Sequence, residues 1–502
     1  MATIFQLVLE QSGFHSSKAA IISDERTITY KELVDKVDEM SERLKLCRLQ
    51  TSDTIALLAD NSISFLICYL AASKLEICIV PIDTRLTLDE ITRVMNEIEP
   101  TVAIVGTKYT EIAKQAITGS IDKQMSLDDS VVAMSVNRKF NKVINRNGSV
   151  FTILFSSGST GKPKGIVFPQ ETIINQVNLQ CKYFGITSYD KILCTVTLVH
   201  SYGIHDHALP ALINGATLYL PDLSAITPRK ILDIAVKENI TFFGTLPYMY
   251  ALMAEVGMVR NYDLSSVRYL LCGGAPLSAE TIDRFAEAFD GKKINQVYGL
   301  TEVGYITFND KGAATASIGK PFAELSWRLV HRDGHSVGPG EEGELCIKLD
   351  NMISPGYLNN PDEQADVYVD GWFCTKDIIR QDEDGYFYHM GRVSDFINVG
   401  ANKVSPKELE ALIEGIENVR EVAVVGVNDD VSGQRVVAVV VPGSQGGGLD
   451  ELRAIIVQKC AQQLALYKRP SEIVFIDRIP RSPLGKVIRR ELIDSLEGKV
   501  WR

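Results

Sequence analysis

Ser156-Ser157-Gly158-Ser159-Thr160-Gly161-Lys162-Pro163-Lys164-Gly165 follows the apolar run Phe151 to Phe155, and the reading of this stretch decides the fold. Glycines let backbone N–H groups approach a polyphosphate, hydroxyls donate hydrogen bonds, and lysine supplies compensating charge. The spacing is not that of a Walker A loop, because G-x-x-x-x-G-K-[ST] is absent. Taken alone, the ten residues also suit a flexible turn; their place at the end of a buried strand favours a phosphate loop.

Outward from this loop, helix-like stretches alternate with β-branched runs at Ile55 to Leu58, Ile77 to Ile82, Thr101 to Val105, Lys191 to Thr195 and Thr217 to Leu220. This alternation predicts an α/β fold of parallel-type sheets covered by helices. Ile63 to Ile82 contains Lys74 and Glu76, so it reads as a buried helix running into a buried strand rather than a membrane span. From about Ser317 short strands with Gly and Pro turns predict a β-rich subdomain. A second alternation follows Gly391-Arg392, with Lys407 to Ile413 and Leu449 to Gln463 helical and Glu421 to Val427 and Val436 to Val441 extended. The expected division is a large N-terminal domain, 1–391, and a small α/β C-terminal domain, 392–502.

The chain has 502 residues and a formal net charge of -11, which disfavours a general nucleic-acid binder because the overall field repels phosphate backbones. The basic stretch Arg138, Lys139, Lys142, Arg146 sits among polar residues and reads as a solvated linker, and Gly446-Gly447-Gly448 as a surface loop. Nine cysteines form no C-x-x-C pair and are expected to be reduced and mostly buried, which fits a cytoplasmic protein. The amino terminus has no basic residue ahead of its short apolar run, so no signal peptide is expected.

The phosphate loop resembles the signature of the adenylate-forming superfamily of acyl-CoA synthetases, aryl and amino-acid adenylation domains and luciferases, and further motifs of that superfamily follow in order from about residue 29 to 492. Gly273-Gly274-Ala275-Pro276 is similar to its adenine-binding turn, and Tyr298-Gly299-Leu300-Thr301-Glu302 to the segment whose tyrosine stacks on adenine, whose threonine contacts the α-phosphate and whose glutamate holds magnesium. Asp377 in Trp372-Phe373-Cys374-Thr375-Lys376-Asp377 matches the aspartate that accepts from both ribose hydroxyls, although Lys376 stands where a glycine is usual. Arg392 matches a ribose or phosphate contact, Ser394 the interdomain hinge where Asp or Lys is usual, and Lys486 the adenylation lysine near the far end. Thr29-Tyr30-Lys31-Glu32-Leu33 and Pro81-Ile82-Asp83 match structural motifs and are read as packing.

The resemblance implies an ATP-dependent acid–thiol ligase using magnesium. Lys486 would bridge the acid's carboxylate and the α-phosphate, two anions that otherwise repel, while Glu302 and magnesium offset charge on the departing pyrophosphate. The loop Ile397 to Ser405 would then admit the thiol of coenzyme A or of a carrier protein's phosphopantetheine, with Ala401 replacing a tunnel glycine. No D-S-L-type attachment site is seen, so a carrier would be a separate partner.

Leu198-Val199-His200-Ser201-Tyr202-Gly203 resembles the family element whose histidine lies between the carboxylate pocket and the thiol tunnel, which makes His200 a catalytic candidate. Ser201, Tyr202, Gly273 and Gly304 are expected in the substrate pocket. The element lacks the aspartate that holds an α-ammonium, so the expected substrate is a small acyl or aryl acid. Asp206 is either an exposed residue at a helix start or a partner for an amine elsewhere on the substrate, as in a β-amino or amino-aryl acid. His205 and His207 read as ordinary polar residues. Two other readings are a non-catalytic nucleotide binder, suggested by Lys376, Ser394, Ala401 and Gln170, and a luciferase-like oxidative enzyme.

Overall fold

The computed structural model describes residues 2–498 except 52, 118–119, 127–129, 138–149, 158–162, 260, 275–276, 311–316, 332, 394–395, 400–401, 430–432, 444–447 and 482–486; at 120, 122–123, 137, 157, 163, 398, 402–403 and 433 it describes the backbone alone. The basic stretch 138–146 and most of the glycine run at 446–448 lie outside the described residues. Contacts divide the chain into two compact units, Met1–Leu325 with Lys348–Asp366, and Ser326–Ile347 with Val367–Arg502. The boundary expected at 391/392 falls inside the second of these.

In the first unit, the strands Thr54–Leu58, Cys78–Pro81 and Val102–Gly106 are buried along their whole length. Continuous apolar runs of this kind belong in a parallel sheet covered on both faces, and the three pair parallel in register Ile55↔Ile79 and Ile55↔Val102. The helix Ile63–Leu75 is buried from Ile63 to Ser73, so it lies inside the protein, as its all-round hydrophobicity requires. Ser62 caps its start through the Phe65 N–H at 3.1 Å. Among the described residues no helix is long and apolar enough to cross a membrane.

The expected strand at Phe151 to Phe155 is present as Thr152–Ser157, with one difference in its surroundings: it turns back into Pro163–Phe168 as an antiparallel hairpin, pairing Ser156 with Lys164. Five residues are enough for a hairpin, whereas a parallel crossover needs a dozen or more. A second sheet is largely parallel, with Tyr269–Cys272, Phe242–Thr245, Lys191–Cys194, Thr217–Leu220 and Ala19–Ser23 as consecutive neighbours. Asn295–Leu300 extends it in parallel, and Gly304–Asn309 returns antiparallel.

The second unit holds two smaller sheets among the described residues. One joins Ser326–Val330, Glu342–Lys348, Trp372–Gln381 and Phe387–Arg392; the other has Val419–Asp429 and Gly433–Pro442 at its centre. The helices Pro406–Glu414 and Leu449–Gln463 accompany the latter, close to their expected bounds. The α/β class, the large first part and the smaller C-terminal part are thus as the sequence suggested. The expectation for the cysteines needs correcting. Cys346 and Cys374 occupy opposite positions on antiparallel strands, which brings their Cα atoms to 4.1 Å, and they form a disulfide. Spacing along the chain could not reveal a pair that only strand register creates; the other seven form no disulfide among the described residues.

Thr29 and Glu32 close a capping box, Thr29 N donating to Glu32 Oε2 at 2.7 Å and Glu32 N to Thr29 Oγ1 at 3.2 Å, which starts the helix Tyr30–Lys45. Tyr30 is fully buried and donates to the Ala216 carbonyl at 2.6 Å, so the motif serves packing. Tyr30→Phe strands that carbonyl and is expected to cost about 1–3 kcal/mol of stability, read as a lowered midpoint in thermal or urea unfolding.

Candidate active site

The residues singled out in the first unit gather at the carboxyl ends of its parallel strands, where open α/β sheets bind ligands. Asn61 follows Thr54–Leu58, Asp83 follows Cys78–Pro81, His200 follows Lys191–Cys194 and Gly273 follows Tyr269–Cys272. Asn61 ties the two sheets together there, donating to the Val196 carbonyl at 2.9 Å and accepting from Leu198 N at 2.8 Å.

Thr301 and Glu302 sit in the three-residue connection between Asn295–Leu300 and Gly304–Asn309. Gly304 closes it at φ +78°, a left-handed conformation that glycine adopts without strain. Gly299 is equally constrained, since a Cβ there would lie 2.3 Å from the Gly304 carbonyl oxygen. The turn projects a buried Glu302, whose Oε1 accepts from the Tyr357 hydroxyl at 2.8 Å and pairs with Lys164 Nζ at 3.2 Å. Lys164 also reaches Glu363 Oε1 at 3.1 Å. Tyr357 arrives on the short strand Gly356–Tyr357, which pairs with the strand of Lys164, and Asn360 fixes Glu363 by donating to its Oε2 at 2.7 Å.

This cluster joins the phosphate hairpin, the Thr301–Glu302 turn and the 356–363 segment. Sequence reading found Lys164 and Glu302 but missed Tyr357 and Glu363, which lie in no recognisable pattern. Glu302 Oε2 has no partner among the described residues. That oxygen and the neighbouring Glu363 carboxylate are hard donors that fit magnesium. Ser156 and Ser157 end the first strand of the hairpin, and Tyr298 and Thr301 are half-buried nearby in sequence. Gly158, Ser159, Thr160, Gly161, Ala275 and Pro276 lie outside the described residues. Gly274 takes φ +83°, the tight turn expected after the Tyr269–Cys272 strand.

His200 Nε2 lies 3.5 Å from Asp83 Oδ2. Arg85 grips the same carboxylate with Nε and a terminal nitrogen, at 2.9 and 2.6 Å. Burial opposes charge on Asp83, but the hydrogen bonds from Arg85 and His200 prevail and hold its carboxyl well below the usual carboxylate range. The Pro81-Ile82-Asp83 turn therefore does more than pack: it orients His200. Ser201–Gly203 forms one helical turn whose Gly203 admits no side chain, because a Cβ would sit 2.1 Å from the Thr197 carbonyl oxygen. Tyr202 donates to the Leu271 carbonyl at 3.1 Å, and its ring lies 3.5 Å from the position a Gly273 Cβ would take. Asp206 is not an exposed residue at a helix start. It is 7% exposed, within the π-helical segment Ile204–Ala208.

In the second unit Asp377 is buried, accepting on Oδ1 from Arg392 Nε at 3.0 Å and facing His389 Nε2 at 2.9 Å. Lys407 Nζ stands 2.6 Å from His389 Nδ1. Because an ammonium only donates, Nδ1 is the acceptor and Nε2–H donates to Asp377. Burial, with Lys407 and Arg392 adding to it, holds the ring below its ordinary pKa against the pull of Asp377. His389 and Lys407 were not foreseen. Lys376 takes φ +61°, the backbone for which glycine is suited, and its N–H donates to Glu344 at 3.1 Å. Ser394, Ala401 and Lys486 lie outside the described residues; on either side of the lysine segment, Arg481 and Val487 form an antiparallel bridge.

Tyr357→Phe removes the hydroxyl that serves Glu302 and is expected to cost about 1.5–3 kcal/mol, the range for a hydrogen bond to a charged group. Urea unfolding of the variant beside the wild type measures it.

The profile of the family described as AMP-binding enzyme matches residues 9–358, and that of the AMP-binding enzyme C-terminal domain matches 408–486. An indoleacetate–CoA ligase of Aromatoleum aromaticum is 30% identical, the alignment covering 98% of this chain and 97% of that protein. A feruloyl-CoA synthase of an Amycolatopsis species is 31% identical, covering 93% of each. The crystal structure of an anthranilate–CoA ligase in complex with anthranoyl-AMP superposes with a TM-score of 0.85 at 22% identity, over 99% of this chain and 98% of that one. A profile matches most of the length and a 30% identical relative aligns nearly end to end, so this chain belongs to the AMP-binding enzyme family.

Proposed function

We propose that the protein is an ATP-dependent acid–thiol ligase that converts a carboxylic acid to its acyl-AMP and then to a thioester. The observation that carries this reading is the Lys164–Glu302–Tyr357–Glu363 cluster, which brings a cation and hard oxygen donors to the mouth of a glycine-rich hairpin. The acid's carboxylate oxygen attacks the α-phosphorus of ATP, the bond to the β-phosphate oxygen breaks, and pyrophosphate leaves. Glu302 would hold magnesium, which would offset negative charge on the departing pyrophosphate. Lys164 trades its carboxylate partners for phosphate oxygens as the nucleotide enters, and Thr301 donates to the α-phosphate. Tyr298, Gly274, Ala275 and Pro276 receive the adenine, and Asp377 and Arg392 the ribose.

Lys486 bridges the two reacting anions. For the second step the part from 392 onward turns about Ser394 and presents the Ala401 loop to the thiol. His200, oriented by Asp83 and Arg85, stands between the acid and the incoming sulfur. The acceptor is coenzyme A, a reading supported by the activities named for the relatives; a separate carrier protein's phosphopantetheine has the same reactive arm.

Carboxylate-dependent ATP–pyrophosphate exchange across aryl, acyl and amino-bearing acids tests the reading. Exchange is expected with at least one class, and none with any acid would contradict it. Lys486→Ala is expected to retain ATP binding by calorimetry while exchange falls about a hundredfold or more, the loss typical of removing one preorganised charge-stabilising group.

A further inference from the structure

His205, Asp206 and His207 are consecutive on the π-helical segment Ile204–Ala208, and they are 2, 7 and 0% exposed. Buried polar groups are nearly always hydrogen-bonded. Here, among the described residues, neither His205 nitrogen, nor His207 Nε2, nor the neighbouring Tyr305 hydroxyl has a partner. The Asp206 carboxyl also has none among the described residues; Gln180 Nε2 donates to its backbone carbonyl instead, at 2.7 Å. A π segment is rare and recurs at functional sites. This one continues directly from the turn of Ser201–Gly203, so it belongs to the element assigned to the acid.

The unpaired groups differ in what they face. His207 Nδ1 is 2.6 Å from the Tyr202 carbonyl oxygen, which makes Nδ1 the protonated nitrogen, and its Nε2 is turned toward Gly244, where a Cβ would approach within 2.8 Å. His205 packs edge-on against Phe168 at 5.3 Å between ring centroids. Burial pushes these rings down to about 3 for His205 and about 4 for His207, so both are neutral. Asp206 is the most exposed of the three, and burial pushes its carboxyl well above the usual carboxylate range, so it holds its proton when nothing is bound. It lies within electrostatic reach of the phenols of both Tyr202 and Tyr305, whose rings are 6.5 Å apart.

We infer that Asp206 is a specificity-determining residue of the acid pocket and that the carboxylic acid taken by this enzyme carries an amino group, received by the Asp206 carboxyl with the Tyr305 hydroxyl beside it. The inference rests on the acid-activating reading given above. An apolar substituent would leave a dehydrated carboxyl without a partner, an arrangement that is strongly unfavourable. A hydroxyl brings one donor, whereas an amine brings two or three N–H groups to an acceptor with two oxygens. An alkylammonium group binds with loss of the Asp206 proton to solvent, giving an ion pair; an aryl amine binds as a neutral donor and no proton moves.

The test compares wild type, Asp206→Asn and Asp206→Leu in ATP–pyrophosphate exchange on matched acids with and without an amino group, such as aminobenzoates against benzoate and 3-amino-3-phenylpropanoate against 3-phenylpropanoate. Wild type is expected to favour the amino member of at least one pair by about tenfold or more in kcat/KM. Asp206→Leu is expected to erase that preference and Asp206→Asn to weaken it. Unchanged ranking in both variants, or preference for the amino-free member of every pair, would overturn the inference while leaving acid activation intact. Absence of exchange with every acid contradicts acid activation instead. Thermal shifts of the same pairs then read the pocket directly: stabilisation by an amino acid that vanishes in the Leu variant supports the inference, and equal shifts refute it.

Discussion

One ammonium, Lys164, ties together three segments that the sequence keeps far apart. The hairpin carrying it, the turn carrying Glu302 and the stretch from Tyr357 to Glu363 each need its charge to bury theirs. A lysine between two carboxylates and a phenol is stable in the absence of phosphate, because every charge has a partner. It is also ready to change partners, since the arriving polyphosphate offers more negative charge than either glutamate. The same ion pairs that hold the site in shape therefore prepare it for nucleotide.

Around that cluster the fold supplies direction. A largely parallel sheet and a mixed one present the carboxyl ends of their parallel strands to one region, and loops from each deliver one function: Asn61 joins the sheets, Asp83 and Arg85 orient His200, and the glycines at 203, 299 and 304 allow backbones to approach closer than any side chain permits. The second unit builds its own polar centre, the line Lys407–His389–Asp377–Arg392, in which a neutral imidazole separates a lysine from a buried aspartate. Among the described residues of the first unit, the π segment with Asp206 brings together several buried polar groups that lack partners, and unsatisfied groups of that kind mark where a ligand completes the structure.

Much of this was legible in the sequence because the relevant signals are local. The α/β class follows from the length and β-branched content of the buried runs, and the Ser156–Gly165 loop and the Tyr298–Glu302 turn carry their chemistry within ten residues. What was not legible depends on long-range placement. Tyr357 and Glu363 gain meaning only because a two-residue strand docks beside Lys164. Asp83 looked like packing until His200 came from another sheet to meet it. Cys346 and Cys374 meet by strand register, and Asp206 read as an exposed residue because its polar neighbours His205 and His207 disguise a buried turn. Lys376 illustrates the opposite case: the sequence flagged a missing glycine, and the backbone indeed takes the left-handed conformation there.

The central claim is that a carboxylate oxygen of the substrate becomes bonded to the α-phosphorus of ATP. Turnover of an acid labelled with ¹⁸O in its carboxylate, followed by mass analysis of the nucleotide released after thiolysis, reads that bond directly. The account predicts AMP carrying one labelled oxygen. Unlabelled AMP formed in step with thioester would contradict it.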